Sequence, residues 1–362
     1  MTHFPFAEFT GSPYELGHQH GETFRVQIRR QVAEMYDVAA QHELTRDAAL
    51  AWAGEQLPKI EALGPHWIDE LRGLAQGAGI KFEEAVSLQV RPGSGHMPDG
   101  CTSFGVSSDA TADGHPLGGQ NRDLGPVYQD RLTVSLLRPT EGPAVLMHSV
   151  PGELGGTGLN SYGLSLFANS LWATSGRTWM APPLLRRAAL ECADADAAVE
   201  RIQSMDGPAV GNFLLIDAAG RMRNLEILPE GVAVIASDSG AYAHANNCTA
   251  EELLPHELPR LPLPGSEGRR NHLQQAFDRE SGHISVEVCK RLLSDETGTP
   301  EPVCHRPHQG DPYATVAGMI AEPAVGALHI SFGPPSDGRF ATHRVEPDAK
   351  DVSTSLTGAS NR

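Results

Sequence analysis

The sequence turns on the stretch Asp99-Gly100-Cys101-Thr102-Ser103-Phe104-Gly105, where a cysteine heads a strand-like run directly after a turn glycine. Glycine leaves its carbonyl open to close approach and tolerates backbone angles that other residues resist. That suits attack of the Cys101 thiol on the Gly100 carbonyl, followed by hydrolysis of the thioester. The products would be one chain ending at Gly100 and another starting at Cys101 with a free α-amine. Such an amine titrates at about 7.7–8.0, within reach of neutral-pH proton transfer. A thiol titrates at about 8.5 and is nucleophilic as thiolate. Nucleophile and base would then share one residue. Alone, a Gly-Cys pair is more often a small buried residue at a strand start. The reading needs support elsewhere in the chain.

Working outward from Cys101, the character of the chain changes on either side. Upstream, Arg91-Pro92-Gly93-Ser94-Gly95 and Pro98-Asp99-Gly100 read as an exposed loop. Before it, residues 22–92 read as helical: Val26, Ile28, Val32, Met35 and Tyr36 recur near helical spacing. Ala48–Leu63, Trp67–Ala78 and Phe82 to about Leu88 continue the pattern, with Gly64-Pro65 and Gly77-Ala78-Gly79 as punctuation. Downstream, Thr102–Val106, Leu117–Gln120, Arg131–Leu137, Ala144–His148 and Gly163–Phe167 read as strands separated by turn residues. Pro182–Cys192 and Asp194–Ser204 read as helices, the second capped by Asp194. Strands return at Phe213–Asp217, Met222–Leu228 and Gly231–Ile235. Pro255–Gly265 carries four prolines and reads as an irregular connector. Helices over Gly268–Asp278 and Ile284–Leu293 precede strands over Thr315–Ile320, Ala327–Phe332 and Arg339–Thr342. The polar tail Asp351–Arg362 is expected to fray. Consecutive strands with helices grouped between them predict α+β layers, not a doubly wound parallel sheet. No internal repeat, dinucleotide fingerprint or Walker loop is present.

The 362 residues are 40% apolar and 20% charged, enough for a large core. Acidic residues number 45 against 28 basic ones, a formal charge of −17. That field disfavours nucleic acid and anionic membrane as partners and favours a neutral or cationic small molecule, unless a local pocket overrides it. No apolar run is long enough for a transmembrane helix, and the N-terminus lacks a signal-peptide pattern. Cys101, Cys192, Cys248, Cys289 and Cys304 are scattered and odd in number, without a C-x-x-C pair. Reduced thiols in the cytoplasm are therefore expected, with no cofactor and no metal. His18 with His20, or His305 with His308, lack companion ligands at metal-binding spacing. Trp67 and Trp172 are expected in the core, and Cys248 as a buried inert thiol.

Support for Cys101 comes from three further segments. In Gly118-Gly119-Gln120-Asn121-Arg122-Asp123, pairing with Thr102–Val106 through the turn Ala112-Asp113-Gly114 would bring Asp123 level with Cys101. A carboxylate there could hold the α-ammonium or orient the thiol. His244-Ala245-Asn246-Asn247 ends an apolar run with two amides suited to an oxyanion. Asn169 interrupts an apolar strand downstream of Asn160-Ser161-Tyr162-Gly163, as a satisfied core amide or a second donor. Taken singly, Asp123 and the amides are more often turn residues.

Together these segments resemble the acyl-coenzyme A:6-aminopenicillanic acid acyltransferase family, also called isopenicillin N acyltransferases. The resemblance runs from Gly11-Ser12-Pro13-Tyr14-Glu15-Leu16-Gly17 with Gly21, through Leu71-Arg72-Gly73-Leu74-Ala75-Gln76-Gly77-Ala78-Gly79, to the Asp99–Thr102 processing site. It continues through Gln120–Asp123, His244–Asn246, Val303-Cys304-His305-Arg306, Thr315-Val316-Ala317 and Gly333-Pro334-Pro335. What it implies is a four-layer αββα sandwich of the N-terminal-nucleophile type. It implies a helical α chain 1–100 and a β chain 101–362, cut from one precursor and forming one integrated unit. It also implies Cys101 as nucleophile, Asp123 as its supporting acid and Asn246 in the oxyanion hole. Related bile-salt hydrolases and acid ceramidases carry an arginine where Gln120 stands, and an asparagine in a strand like that of Asn169. With Asn121, these are candidate oxyanion or substrate residues. The family also uses an arginine in its C-terminal third, for which Arg270 and Arg306 are the candidates.

The expected activity is hydrolysis of a small N-acyl or peptide-like amide through a thioester on Cys101. The alternative is transfer of an acyl group, from acyl-coenzyme A for example, to an amine. An unprocessed binding protein on the same fold is the rival of another class. A papain-like protease, which would need a histidine base, is a further one. A homo-oligomer is a possible assembly, which the sequence does not decide.

Overall fold

The computed structural model describes residues 2–92, 100–174, 180, 182–205, 209–258, 265–298, 301–306 and 313–348. The chain begins with a strand the periodicity did not predict, β1 (Phe6–Gly11), of which only Phe9 is buried. Helix α1 (Pro13–Thr23) follows at once instead of starting at residue 22. A reciprocal capping box between Ser12 and Glu15, with Pro13 in the first turn, fixes its start. Then come α2 (Arg25–Gln41), α3 (Arg46–Leu63), α4 (Pro65–Ala78) and α5 (Phe82–Val90).

Helices α1 and α4 explain the glycine spacing in their sequences. A Cβ on Gly17 would lie 1.9 Å from the Glu70 carbonyl oxygen, and one on Gly73 would lie 2.0 Å from that of Tyr14. A Cβ on Gly21 or Gly77 would likewise lie 2.4 or 2.2 Å from a carbonyl oxygen of the opposite helix. Glycine at these four positions lets the two helices touch backbone to backbone, which no side chain would permit.

The chain continues through β2 (Gly100–Val106), β3 (Leu117–Leu124), β4 (Thr133–Pro139), β5 (Val145–Ser149), β6 (Thr157–Asn160) and β7 (Leu164–Asn169). Next are α6 (Pro182–Leu190) and α7 (Ala195–Gln203), the latter capped by Asp194. Strands β8 (Gly211–Asp217), β9 (Met222–Leu228), β10 (Gly231–Ser237) and β11 (Ala241–His244) precede α8 (Ser266–Glu280) and α9 (Val286–Leu293). The chain then forms β12 (Ala314–Glu322), β13 (Ala327–Ser331) and β14 (Phe340–Arg344). Residues 93–99, most of the proline-rich connector and the polar tail lie outside the described residues.

Among the described residues the strands form two sheets, ordered β1-β4-β5-β6-β7-β8-β9-β10 and β11-β2-β3-β12-β13-β14. Apolar side chains from α1 to α7 pack on the outer face of the first sheet. Phe4, Leu146, Phe167, Val316 and Met319 fill part of the space between the sheets. Phe104 of β2 meets Phe277 of α8 in a third cluster, which joins the second sheet to α8 and α9. The order is helix, sheet, sheet, helix, as expected. β1 pairs in parallel with β4, so residues before Gly100 contribute a strand to the central sandwich. No helix among the described residues is long and apolar enough to cross a membrane.

Candidate active site

Register decides which side chains meet. β2 and β3 pair antiparallel with Cys101 opposite Arg122 and Ser103 opposite Gln120. Directly opposed residues share a face, and this one looks toward β7 and β8 of the other sheet. Gly118, next but one along it, has room only for hydrogen: a Cβ there would lie 2.6 Å from Ile216. Gly100 is opposite Asp123 and Thr102 opposite Asn121, so these residues face α8 and α9. The hairpin is as predicted, but β3 runs on through Leu124, so Asp123 is a strand residue and not a turn residue.

Cys101 is 5% exposed. Its backbone N–H donates to Asn246 Oδ1 at 2.9 Å. Gln120 Oε1 accepts the Ala168 N–H at 2.8 Å, which turns Gln120 Nε2 toward Cys101 Sγ at 4.0 Å. Asn169 Oδ1 accepts from Ser103 Oγ at 2.6 Å and lies 3.3 Å from His244 Nδ1. Asn169 Nδ2 is left buried without an acceptor among the described residues. A buried, unspent amide donor is unusual, because such groups are costly unless something fills them.

Asn246 is differently placed. Its Oδ1 accepts both the Cys101 N–H and Arg269 Nη2, at 2.9 and 3.0 Å. Two obligate donors fix the amide orientation, and Nδ2 then donates to the Ser170 carbonyl at 3.0 Å. Asn246 therefore holds the main-chain nitrogen of Cys101, and its own donor is engaged elsewhere.

The arginine at the site is Arg269, which the sequence reading missed by one position. Its side chain is 2% exposed. Nη1 donates to the Cys101 carbonyl at 2.9 Å and to Thr102 Oγ1 at 2.7 Å. The carboxylates of Asp123 and Glu301 lie 3.8 and 3.5 Å away. The signal was in the helical period: Ser266, Arg269, Leu273, Ala276 and Phe277 are the buried stripe of α8. Arg270 lies off that stripe and turns to Glu267. Arg306 pairs with Glu296 and Asp337 at the surface. Neither of the two predicted arginines joins Cys101 in these contacts.

Asp123 Oδ1 accepts Thr315 Oγ1 at 2.6 Å. Burial pushes its carboxyl above the usual carboxylate range, with Arg269 and Thr315 pulling it back. Asn121 turns away from Cys101, and its Nδ2 donates to the carbonyls of Leu293 and Val303 at 2.8 Å each, tying α9 to the chain beyond it. His244 bridges Asn169 and Glu226, the latter 3.0 Å from Nε2.

The remaining expectations resolve simply. Trp67 is fully buried and donates Nε1 to Glu191. Trp172 is buried as well. His20 Nε2 accepts the Gly152 N–H at 3.0 Å, and burial keeps the ring neutral down to about pH 4. Burial, then Glu226 and Glu257, raise the Cys248 thiol far out of the reactive range. His308 lies outside the described residues.

Two sheets face to face between helical layers, with a cysteine heading a strand of one of them, are the αββα sandwich of the N-terminal-nucleophile hydrolases. The chain belongs to the acyl-coenzyme A:6-aminopenicillanic acid acyl-transferase family, whose model matches residues 110–337. It is 27% identical over 310 residues to the 40 kDa form of acyl-coenzyme A:6-aminopenicillanic-acid-acyltransferase from Emericella nidulans, covering 83% of this chain and 84% of that one. In fold it is similar to a mutant of the conjugated bile acid hydrolase from Clostridium perfringens. The TM-score is 0.50 at 13% identity, over 69% of this chain and 93% of that one.

Proposed function

We propose that the chain cuts itself between Gly100 and Cys101 and then works as an amidohydrolase that carries the acyl group on Cys101. The acyl-transfer class follows from the family, and the assignment of residues is our reading. The observation that carries it is the bond from the Cys101 nitrogen to Asn246 Oδ1. The same acceptor that holds the amide before the cut would hold the α-amine after it.

In the first step Sγ of Cys101 attacks the Gly100 carbonyl carbon and the C–N bond breaks. The nitrogen leaves as the α-amine, and water hydrolyses the thioester to a Gly100 carboxylate. The chain 1–100 stays in place, because β1 is paired with β4 and five helices cover the sheet. In turnover, the α-amine takes the thiol proton and Sγ attacks the substrate carbonyl. In this reading Asn169 Nδ2, a buried donor without an acceptor among the described residues, donates to the oxyanion. Gln120 Nε2 supports the thiolate. The leaving amine takes its proton from the α-ammonium. Water, deprotonated by the α-amine, then releases the acid. Asn246 and Arg269 position the α-amine and the Cys101 carbonyl, and Asp123 acts through Arg269.

The substrate class is a small N-acyl or peptide-like amide. Acid quench during turnover of a screened N-acylated amine, followed by peptide mass spectrometry, tests the reading. An acyl adduct on the peptide beginning at Cys101 supports it. Turnover by a Cys101→Ala protein contradicts it.

A further inference from the structure

A buried histidine joins the two sheets at Asn169. His244 of β11 stands opposite Ser103 of β2, so both side chains share a face. Cys101, two residues before Ser103 in the strand, points the same way. In the other sheet Asn169 of β7 stands opposite Asn212 of β8, which stands opposite Glu226 of β9. Asn169 and Glu226 therefore lie in one row, two strands apart. The His244 ring spans them: Nδ1 lies 3.3 Å from Asn169 Oδ1, and Nε2 lies 3.0 Å from Glu226 Oε1. The side chains of His244 and Glu226 are both fully buried.

The groups around the ring fix its protons. Glu226 accepts the Thr249 N–H at 2.8 Å, the Ala250 N–H at 3.0 Å and the Thr249 hydroxyl at 2.6 Å. Main-chain N–H groups can only donate, so they select the ionised carboxylate. Burial opposes that ionisation, but His244, Thr249 and Ala250 outweigh it and hold the carboxyl below the usual carboxylate range. His244 Nε2 must then carry a proton toward Glu226. A buried carboxylate is costly without a counter-charge, and among the described ion pairs its cationic partner is His244. On the other side of the ring, Ser103 Oγ lies 2.6 Å from Asn169 Oδ1. That spacing is ordinary for O–H···O and short for N–H···O, so the amide turns its oxygen to Ser103 and, with it, to His244. An amide oxygen cannot donate, so Nδ1 must carry a proton as well. With a bare Nδ1 the amide would turn over to donate to it, and Oδ1, which repels an oxyanion, would replace the unspent donor.

We propose that Glu226 and His244 are positioning residues for the oxyanion donor: Glu226 holds His244 as an imidazolium, and the proton on Nδ1 fixes the Asn169 oxygen so that Nδ2 stays free for the substrate. Both act through the amide of Asn169. The proposal rests on Asn169 serving Cys101 as the oxyanion donor.

Two measurements test this. The first needs no substrate: nitrogen-15 NMR of the wild-type protein labelled at histidine, with the His244 signals assigned by their change in Asn169→Ala. Both ring nitrogens of His244 should carry a proton at the pH of turnover, and a bare Nδ1 overturns the proposal. The second is a double-mutant cycle on turnover of a screened N-acylated amine. Glu226→Gln and His244→Ala should each lower kcat by about tenfold or more with little change in KM, the worth of a lost charge-assisted hydrogen bond. Added to Asn169→Ala, either should change kcat by less than about twofold, because the amide through which it acts is gone. Losses that multiply in the double variants overturn the proposal. Where Glu226→Gln fails to fold, His244→Ala and the wild-type spectrum carry the test. Turnover by Cys101→Ala refutes the reactive thiol and leaves the proton assignment standing. A bare Nδ1 in an enzyme that depends on Cys101 refutes the positioning role alone.

Discussion

Cys101 and Asp123 project from opposite faces of one hairpin: Asp123 is paired with Gly100, one residue out of step with the thiol. The carboxylate therefore reaches the site through Arg269, 3.8 Å from it and bonded to the Cys101 carbonyl. Direct contact between a carboxylate and a thiol would shift the thiol by about 1–3 pKa units. Asp123→Asn should slow self-cleavage and lower kcat while moving the pH midpoint of Cys101 alkylation by less than about 0.5 unit. A full-unit shift would mean that the carboxylate acts on sulfur directly.

Arg269 joins β2, Asn246 and two carboxylates from inside α8. Removing one member of such a buried cluster typically costs about 3–5 kcal/mol. Arg269→Ala should show that loss in denaturant unfolding and should fail to cleave at Gly100. Arg270→Ala and Arg306→Ala, near the surface, should stay within about 0.5 kcal/mol of wild type and cleave normally.

Asn169 Nδ2 is a buried donor without an acceptor among the described residues, and Ser103, on the Cys101 face of the hairpin, bonds its amide oxygen. Asn169→Ala should reduce kcat by about 10²–10³-fold with little change in KM, the cost of losing one oxyanion donor. An equal rise in KM with kcat unchanged would make Asn169 a binding group instead.

Glu191 gives the fold an acid-sensitive joint. It accepts from Arg187 Nε at 2.8 Å, Trp67 Nε1 at 2.9 Å and His66 Nε2 at 2.9 Å, joining α4 to the end of α6. Burial opposes ionisation, but Arg187 and the hydrogen bonds outweigh it and hold the carboxyl down to about 2. An acid whose folded pKa is depressed stabilises above its ordinary value near 4.5 and loses that contribution as pH falls toward about 2. A shift of that size corresponds to about 3 kcal/mol. Glu191→Gln should lower stability at pH 7 by about that amount and flatten the loss between pH 4.5 and 2, as followed by urea unfolding across pH.

The layered fold was legible because α4 buries one face with helical period and because β8 and β12, buried on both faces, read as short continuous runs rich in apolar residues. β1 escaped because only Phe9 among its six residues is buried and its partner strand lies over a hundred residues away. α1 escaped because its inward face is built from Gly17 and Gly21, which no hydrophobic pattern marks. Gln120–Asp123 read partly as a turn because it is polar. It is a strand because Ala168 N–H, the Leu293 and Val303 carbonyls and Thr315 Oγ1 satisfy those side chains from neighbouring elements. Cys101, Gln120, Asn169 and Asn246 could be named from sequence. That Asn246 turns its oxygen to the Cys101 nitrogen depends on Arg269, whose burial the period of α8 marks but whose contact with Asn246 only the packed structure reveals.

The most direct measurement is Edman sequencing and intact mass of the purified wild-type protein. We expect two polypeptides, one ending at Gly100 and one whose first residues read Cys-Thr-Ser-Phe-Gly, and a single uncut chain for Cys101→Ala. A fully active wild-type preparation consisting of one continuous polypeptide would contradict the account.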